Sequence, residues 1–235
     1  MKDNLEQSLK SDSHSSSVIN AVYGVTTIDI LSRILRLMDI TTNATNFGCV
    51  TVENRTKWKV IDFRTDTLDY YTFVDIFRGF QQGNGMYNYS GFLGEVLRDR
   101  KENERMFTAK IVLNDLMMGR EKQAPGERKD SFMNALKKAF YEITKYSIQH
   151  LQKLGINNDK IVLGELKEMD IQNHTPDSLY ECLKKPDRDY GDFGRYIKAI
   201  EQKFFQLKTK VEERCDELTN IDENVNSDRT RQNWP

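Results

Sequence analysis

Apolar positions recur at helical spacing along most of the chain. After Thr26 and Thr27 come Ile28, Ile30, Leu31, Ile34, Leu35 and Met38. The spacing predicts an amphipathic helix with Thr26 or Thr27 as its N-cap. The Asn/Thr-rich run 41–46 breaks it. The period then changes to two: Val50 and Val52 alternate with polar residues, as do Trp58 and Val60. This predicts a β-hairpin over 47–63 with its turn at Glu53-Asn54-Arg55-Thr56. Asp66 or Thr67 would cap a further helix carrying Leu68, Tyr71, Val74 and either Ile76 or Phe77.

Gly79, Gly83, Gly85, Gly91 and Gly94 mark a loop, with a short helix expected over 92–105. Met106 to Met118 fits two patterns. Phe107, Ala109, Ile111 and Leu113 alternate as a strand would, while Leu113-Asn114-Asp115-Leu116-Met117 suits a helix. A polar loop follows around Pro125-Gly126. Asp130 would cap a long helix ending at Gly155, with Phe132, Leu136, Phe140, Ile143, Tyr146 or Ser147, Leu151 and Leu154 as its apolar set. Lys160 to Leu166 fits a short strand. Thr175-Pro176-Asp177 opens another helix, with Thr at the cap and Pro in the first turn, and Pro186 closes it. The clearest periodicity comes last. Phe193, Ile197, Ile200, Phe204, Leu207, Val211, Arg214 and Leu218 are spaced 4, 3, 4, 3, 4, 3, 4, and only Arg214 interrupts the apolar seam.

These elements predict an α+β fold that is predominantly α-helical, with one β-hairpin and a helical bundle in the C-terminal half. The expected organisation is a flexible tail over 1–17, an α+β lobe over 18–129, a helical lobe over 130–219 and a second flexible tail over 220–235. Both tails are polar and too poor in apolar residues to offset the entropy of ordering them. Composition changes this picture little. The chain has 235 residues, of which 38% are hydrophobic and 10% aromatic, enough for a real core. Lys+Arg number 35 against 36 Asp+Glu, a net charge of −1, which removes the basic surplus of a dedicated nucleic-acid coat. No apolar run reaches membrane-spanning length and the first residues have no signal-peptide core, so a cytoplasmic protein is expected.

Candidate chemistry is sparse. His14, His150 and His174 are too dispersed, as are Cys49, Cys182 and Cys215, for paired metal ligands, so no metal or other cofactor is expected. All three thiols read as buried and inert. No Gly-x-Ser-x-Gly elbow occurs, and the loop 83–91 lacks the Gly-Lys-Ser/Thr ending of a phosphate-binding loop. Asp187-x-Asp189-x-Gly191-Asp192 resembles the start of a calcium loop but has its glycine one position early and Lys198 at the twelfth place. Glu165-Leu166-Lys167, at the end of an apolar strand, matches the acid–lysine pair of metal-dependent nucleases. The partner aspartate that such a site needs is not evident, and a solvated strand end explains the residues as well.

Two features point to binding. Tyr87, Tyr89 and Phe92 alternate with glycines, and Arg98, Arg100 and Lys101 follow. Stacking rings beside cations suit single-stranded nucleic acid or a phosphorylated ligand, or the rings simply pin an irregular loop. The seam Phe193, Ile197, Ile200, Phe204, Leu207 and Val211 either packs on the 130–154 helix of its own chain or forms a contact between chains. The expectation is a non-catalytic cytosolic interaction or assembly protein. It would self-associate or dock a protein partner through the C-terminal helix, with no membrane partner. RNA or single-stranded DNA binding and a Mg²⁺-dependent nuclease or phosphodiesterase with Glu165 and Lys167 are the alternatives.

Overall fold

A computed structural model describes residues 16–35, 37–38, 47–52, 55–60, 64–65, 100–119, 130–153 and 163–232. These residues are predominantly helical. The helices are α1 (Ser16–Leu35), α2 (Glu102–Met118), α3 (Phe132–Lys153), α4 (Pro176–Cys182) and α5 (Gly191–Gln232). Leu37–Met38 (β1) pairs antiparallel with Arg64–Thr65 (β4), and Phe47–Val52 (β2) with Arg55–Val60 (β3). Arg55 and Thr56, expected in a turn, pair with Val52 and Thr51. The chain divides into two compact units, 1–113 with 204–235, and 114–203. Among the described residues no helix is long and apolar enough to cross a membrane. Residues 1–15 lie outside the described residues, as do the helix expected after Asp66 and the loop 79–94.

In the first unit, α1 starts at Ser16, well before the expected cap at Thr27. The hydroxyl of Thr27 donates to the Tyr23 carbonyl one turn back at 2.8 Å, so a residue that often caps is accommodated in mid-helix. The helix is not amphipathic. Val25, Ile28, Ile30 and Ile34 are buried, and so are Thr26, Asp29, Ser32 and Arg33. Over 22–35 only the stripe Tyr23, Thr27, Leu31 and Leu35 is partly exposed, and a helix covered over so much of its circumference belongs to a core. Its charges survive there as a pair: Arg33 Nε donates to Asp29 Oδ2 at 2.7 Å, and both side chains are 0% exposed.

Helix α2 resolves the ambiguity at 106–118 as a single helix, whose first residues, from Glu102, overlap the end of the short helix expected over 92–105. Ala109 and Leu113 are buried while Phe107 and Ile111 are exposed. The alternation that resembled a strand is therefore two faces of one helix, both apolar. Helix α5 does not stop at 219 but runs to Gln232, 42 residues in all, or about 63 Å at ~1.5 Å per residue. No Gly or Pro interrupts 195–234, so nothing in the sequence breaks the helix there. Near its middle, Arg214 joins α2 by a 2.8 Å bond to Glu102 and also holds Glu217 at 2.7 Å.

In the second unit, α3 begins one residue later than expected. Ser131 Oγ, rather than Asp130, accepts from the Asn134 N–H at 3.3 Å, and Asp130 pairs with Lys138 instead. Thr175 caps α4 as the sequence predicts: its hydroxyl accepts from the Ser178 N–H at 3.1 Å, and Ser178 Oγ accepts from the Thr175 N–H at 2.8 Å. Helix α3 packs on α4. Phe140 meets Tyr180 edge-on at 6.2 Å between ring centroids and Phe193 at 5.4 Å. Lys137 reinforces the contact through Asp177 at 2.7 Å and lies over the Tyr180 ring. Burial, with the negative charge of Glu201 beside it, raises the Tyr180 pKa well above the ordinary tyrosine value.

Candidate functional site

The C-terminal seam lies in the interior of the protein. Ile197, Ile200, Phe204, Leu207 and Val211 are all buried by their own chain, and Phe193 at the helix start is half-buried against Phe140. The seam continues through buried Cys215, one position beyond the Arg214 expected from the spacing. Burial raises the Cys215 thiol above its usual pKa. Of the two readings of this seam, packing within the chain and contact between chains, its burial fits the first. Among the large apolar residues described in this stretch, Phe205, on its outer edge, stays open to solvent.

Helix α3 presents the opposite case. Among its described side chains, Leu136, Phe140, Thr144 and Ile148 are buried. Ile143 and Tyr146, expected within that apolar set, are 48% and 67% exposed. With ~3.6 residues per turn, Ala139, Ile143, Tyr146 and His150 lie within about 60° of arc on one outward stripe. The Tyr146 and His150 rings stack at 5.7 Å between centroids with planes 10° apart. His150 is thus a surface residue. The stripe runs beside the packed face, so its backbone is held by the core while its side chains stand in water.

Glu165 and Lys167 do not lie at a strand end. Gly164–Glu168 is a 3-10 turn. Glu165 acts as a strap: its N–H donates to the Asp189 carbonyl at 2.7 Å, and its carboxylate accepts from Arg188 Nη1 at 3.3 Å and from the Asp189 N–H at 3.4 Å. Gly164 makes this approach possible. It has φ +52°, and a Cβ built there would sit 2.3 Å from the Asp189 carbonyl oxygen and 2.5 Å from the Gly191 nitrogen. Backbone cannot move aside as a side-chain tip can. Gly164→Ala is expected to cost about 1–3 kcal/mol from the left-handed conformation alone, with the overlap added. Thermal melting checks this, and an unchanged melting temperature would show that the strap is loose.

Asp189 is committed as well. Its Oδ1 accepts from the Gly191 N–H at 2.9 Å and from Arg195 at 3.2 Å, so the calcium-like run is a capping loop. Among the described residues, no three His, Cys, Asp or Glu side chains gather to hold a metal ion. Cys182, expected to be buried, is only half-buried, and its Sγ donates to the Ser178 carbonyl. Of the nucleic-acid candidates, Tyr87, Tyr89, Phe92 and Arg98 lie outside the described residues. Arg100 and Lys101 lead into α2, where their carbonyls accept from Arg105 Nη1 and from the Arg105 N–H. No family model matches the chain, and neither the curated proteins nor the solved structures contain a match.

Proposed function

We propose that the protein is a non-catalytic assembly protein that self-associates through apolar helix surface its own core leaves open. The observation that carries this reading is the outward stripe of α3, where Ile143 and Tyr146 stand exposed one turn apart on a well-packed helix. Side chains at i and i+3 on one face are the pattern by which helices dock on one another. Burying such a side chain fully is worth about 1.5–3 kcal/mol, so a few of them suffice for a reversible contact. In a two-fold arrangement the stripe of one copy covers the stripe of the other. Helix α5 supports the assembly from within: its seam holds the core, and its outer edge adds Phe205 to the open surface.

Hydroxyl-radical footprinting at rising protein concentration tests the reading. Labelling of Tyr146 is expected to fall as concentration rises, while Met118, exposed on another helix, keeps its rate. Constant labelling of Tyr146 over the whole range would contradict the proposal.

A further inference from the structure

A second surface has a different character. Where the 186–190 loop meets the first turns of α5, a cleft of about 390 Å³ opens to solvent. Arg188, Arg195 and Lys198 line it with Asp187, Asp189 and Tyr190. Its volume falls in the range of small-molecule sites, ~300–1,000 Å³. The lining carries three cations and two carboxylates, and two further carboxylates beside it, Glu165 and Asp192, pair with Arg188 and Arg195, which leaves Lys198 as the cation outside these pairs.

The donors in this cleft are only partly used. Among the described residues Lys198 has no carboxylate within ion-pair distance; its ammonium lies over the Tyr190 ring, 5.9 Å from the centroid. Arg188 gives one bond, at 3.3 Å, to Glu165. A guanidinium has five N–H donors and an ammonium three, so several remain for a ligand. The carboxylate of Asp189, by contrast, is engaged by the Gly191 amide and Arg195. The Arg188–Glu165 and Arg195–Asp189 pairs are solvent-exposed, and such pairs contribute little to stability. An entering anion can displace them at little cost.

The frame behind these groups is fixed. The Glu165 amide holds the Asp189 carbonyl, and Gly164 lies against the backbone of 189–191. Tyr190 is buried, and a Cβ added at Gly194 would meet its Cβ at 2.4 Å. Loops so tightly seated hold donors in place before a ligand arrives, which lowers the entropy lost on binding.

We propose that this cleft binds the phosphate group of a small molecule, with Lys198 and Arg188 as its charged contacts and the Tyr190 ring as an apolar wall. A phosphate dianion suits the ammonium of Lys198 and takes planar, forked donation from arginine.

Calorimetric titration of the full chain with inorganic phosphate tests this. One saturable site is expected, in the millimolar range that ~4 kcal/mol of binding energy gives. Lys198→Gln and Arg188→Gln keep most of each side-chain stem, and each should weaken binding about tenfold, equal to ~1.4 kcal/mol. Lys185→Gln changes an exposed lysine just before that loop that does not line the cleft, and should leave affinity within about twofold, the scale of a screened surface charge. Thermal melts of the three variants should match that of the parent chain. Absence of saturable binding, or an equal loss with Lys185→Gln, would overturn the assignment. A single-stranded oligonucleotide that binds through Lys198 and Arg188 where inorganic phosphate does not would also overturn it, in favour of a nucleic-acid surface.

Discussion

Replacing Asp29 by Ala should be among the most damaging single changes in the protein, costing about 3–5 kcal/mol of folding free energy. Asp29 and Arg33 pair at 2.7 Å within α1 with neither side chain exposed. Removing the carboxylate takes from a buried guanidinium the counter-charge that lies 2.7 Å from it. Domains of this kind are stable by only about 5–15 kcal/mol, so the variant should unfold at far lower denaturant. The pair is nonetheless no proof of optimised stability, because two charges lose their hydration on burial. The double variant Asp29→Leu with Arg33→Met removes both charges and should be more stable than Asp29→Ala alone. Urea unfolding followed by circular dichroism separates the cases. A cost below about 1 kcal/mol for Asp29→Ala would mean that water reaches the pair, as it does at surface ion pairs.

Phe204→Ala should cost about 3–5 kcal/mol, the loss seen when a fully buried ring is truncated and a cavity remains. Phe204 is 0% exposed on the α5 seam, between buried Ile200 and Leu207. The neighbouring Phe205 is 38% exposed, and Phe205→Ala should cost far less, because much of its ring is already in water. Phe204→Asp distinguishes the two roles a heptad stripe can have. Within the core, the aspartate unfolds the chain at every concentration. At a subunit contact, it would yield a folded monomer instead. The burial of the seam predicts unfolding, measured by circular dichroism together with sedimentation.

Local chemistry was legible where it was self-contained. Thr175-Pro176 announced the start of α4 because a cap and a first-turn proline act within four residues. The α5 seam was legible because its period of 3 and 4 persists over many turns. Burial was less legible. Asp29 and Arg33 resemble the polar face of an amphipathic helix, and the pattern carries no sign that both faces are covered. Helix α2 is apolar on two sides, so its period gave no clear direction. The turn at Gly164–Glu168 depends on a positive φ and a close approach to residue 189, a contact between segments far apart in sequence. For the candidate interface, the spacing of Ile143 and Tyr146 marked an apolar set, but it does not show which members of the set the chain covers. Covered and uncovered apolar residues look alike in a sequence, so the pattern does not show that the seam is covered while Ile143 and Tyr146 are not.

Sedimentation equilibrium of the intact chain and of Ile143→Asp tests the central claim most directly. Ile143 is half in water already, so the aspartate should leave the fold intact. The parent chain should rise with concentration from 27.5 kDa toward twice that mass, and Ile143→Asp should stay at 27.5 kDa with an unchanged melting temperature. A parent chain that remains at 27.5 kDa at every concentration, or a variant that associates as the parent does, would contradict assembly through the outward face of α3.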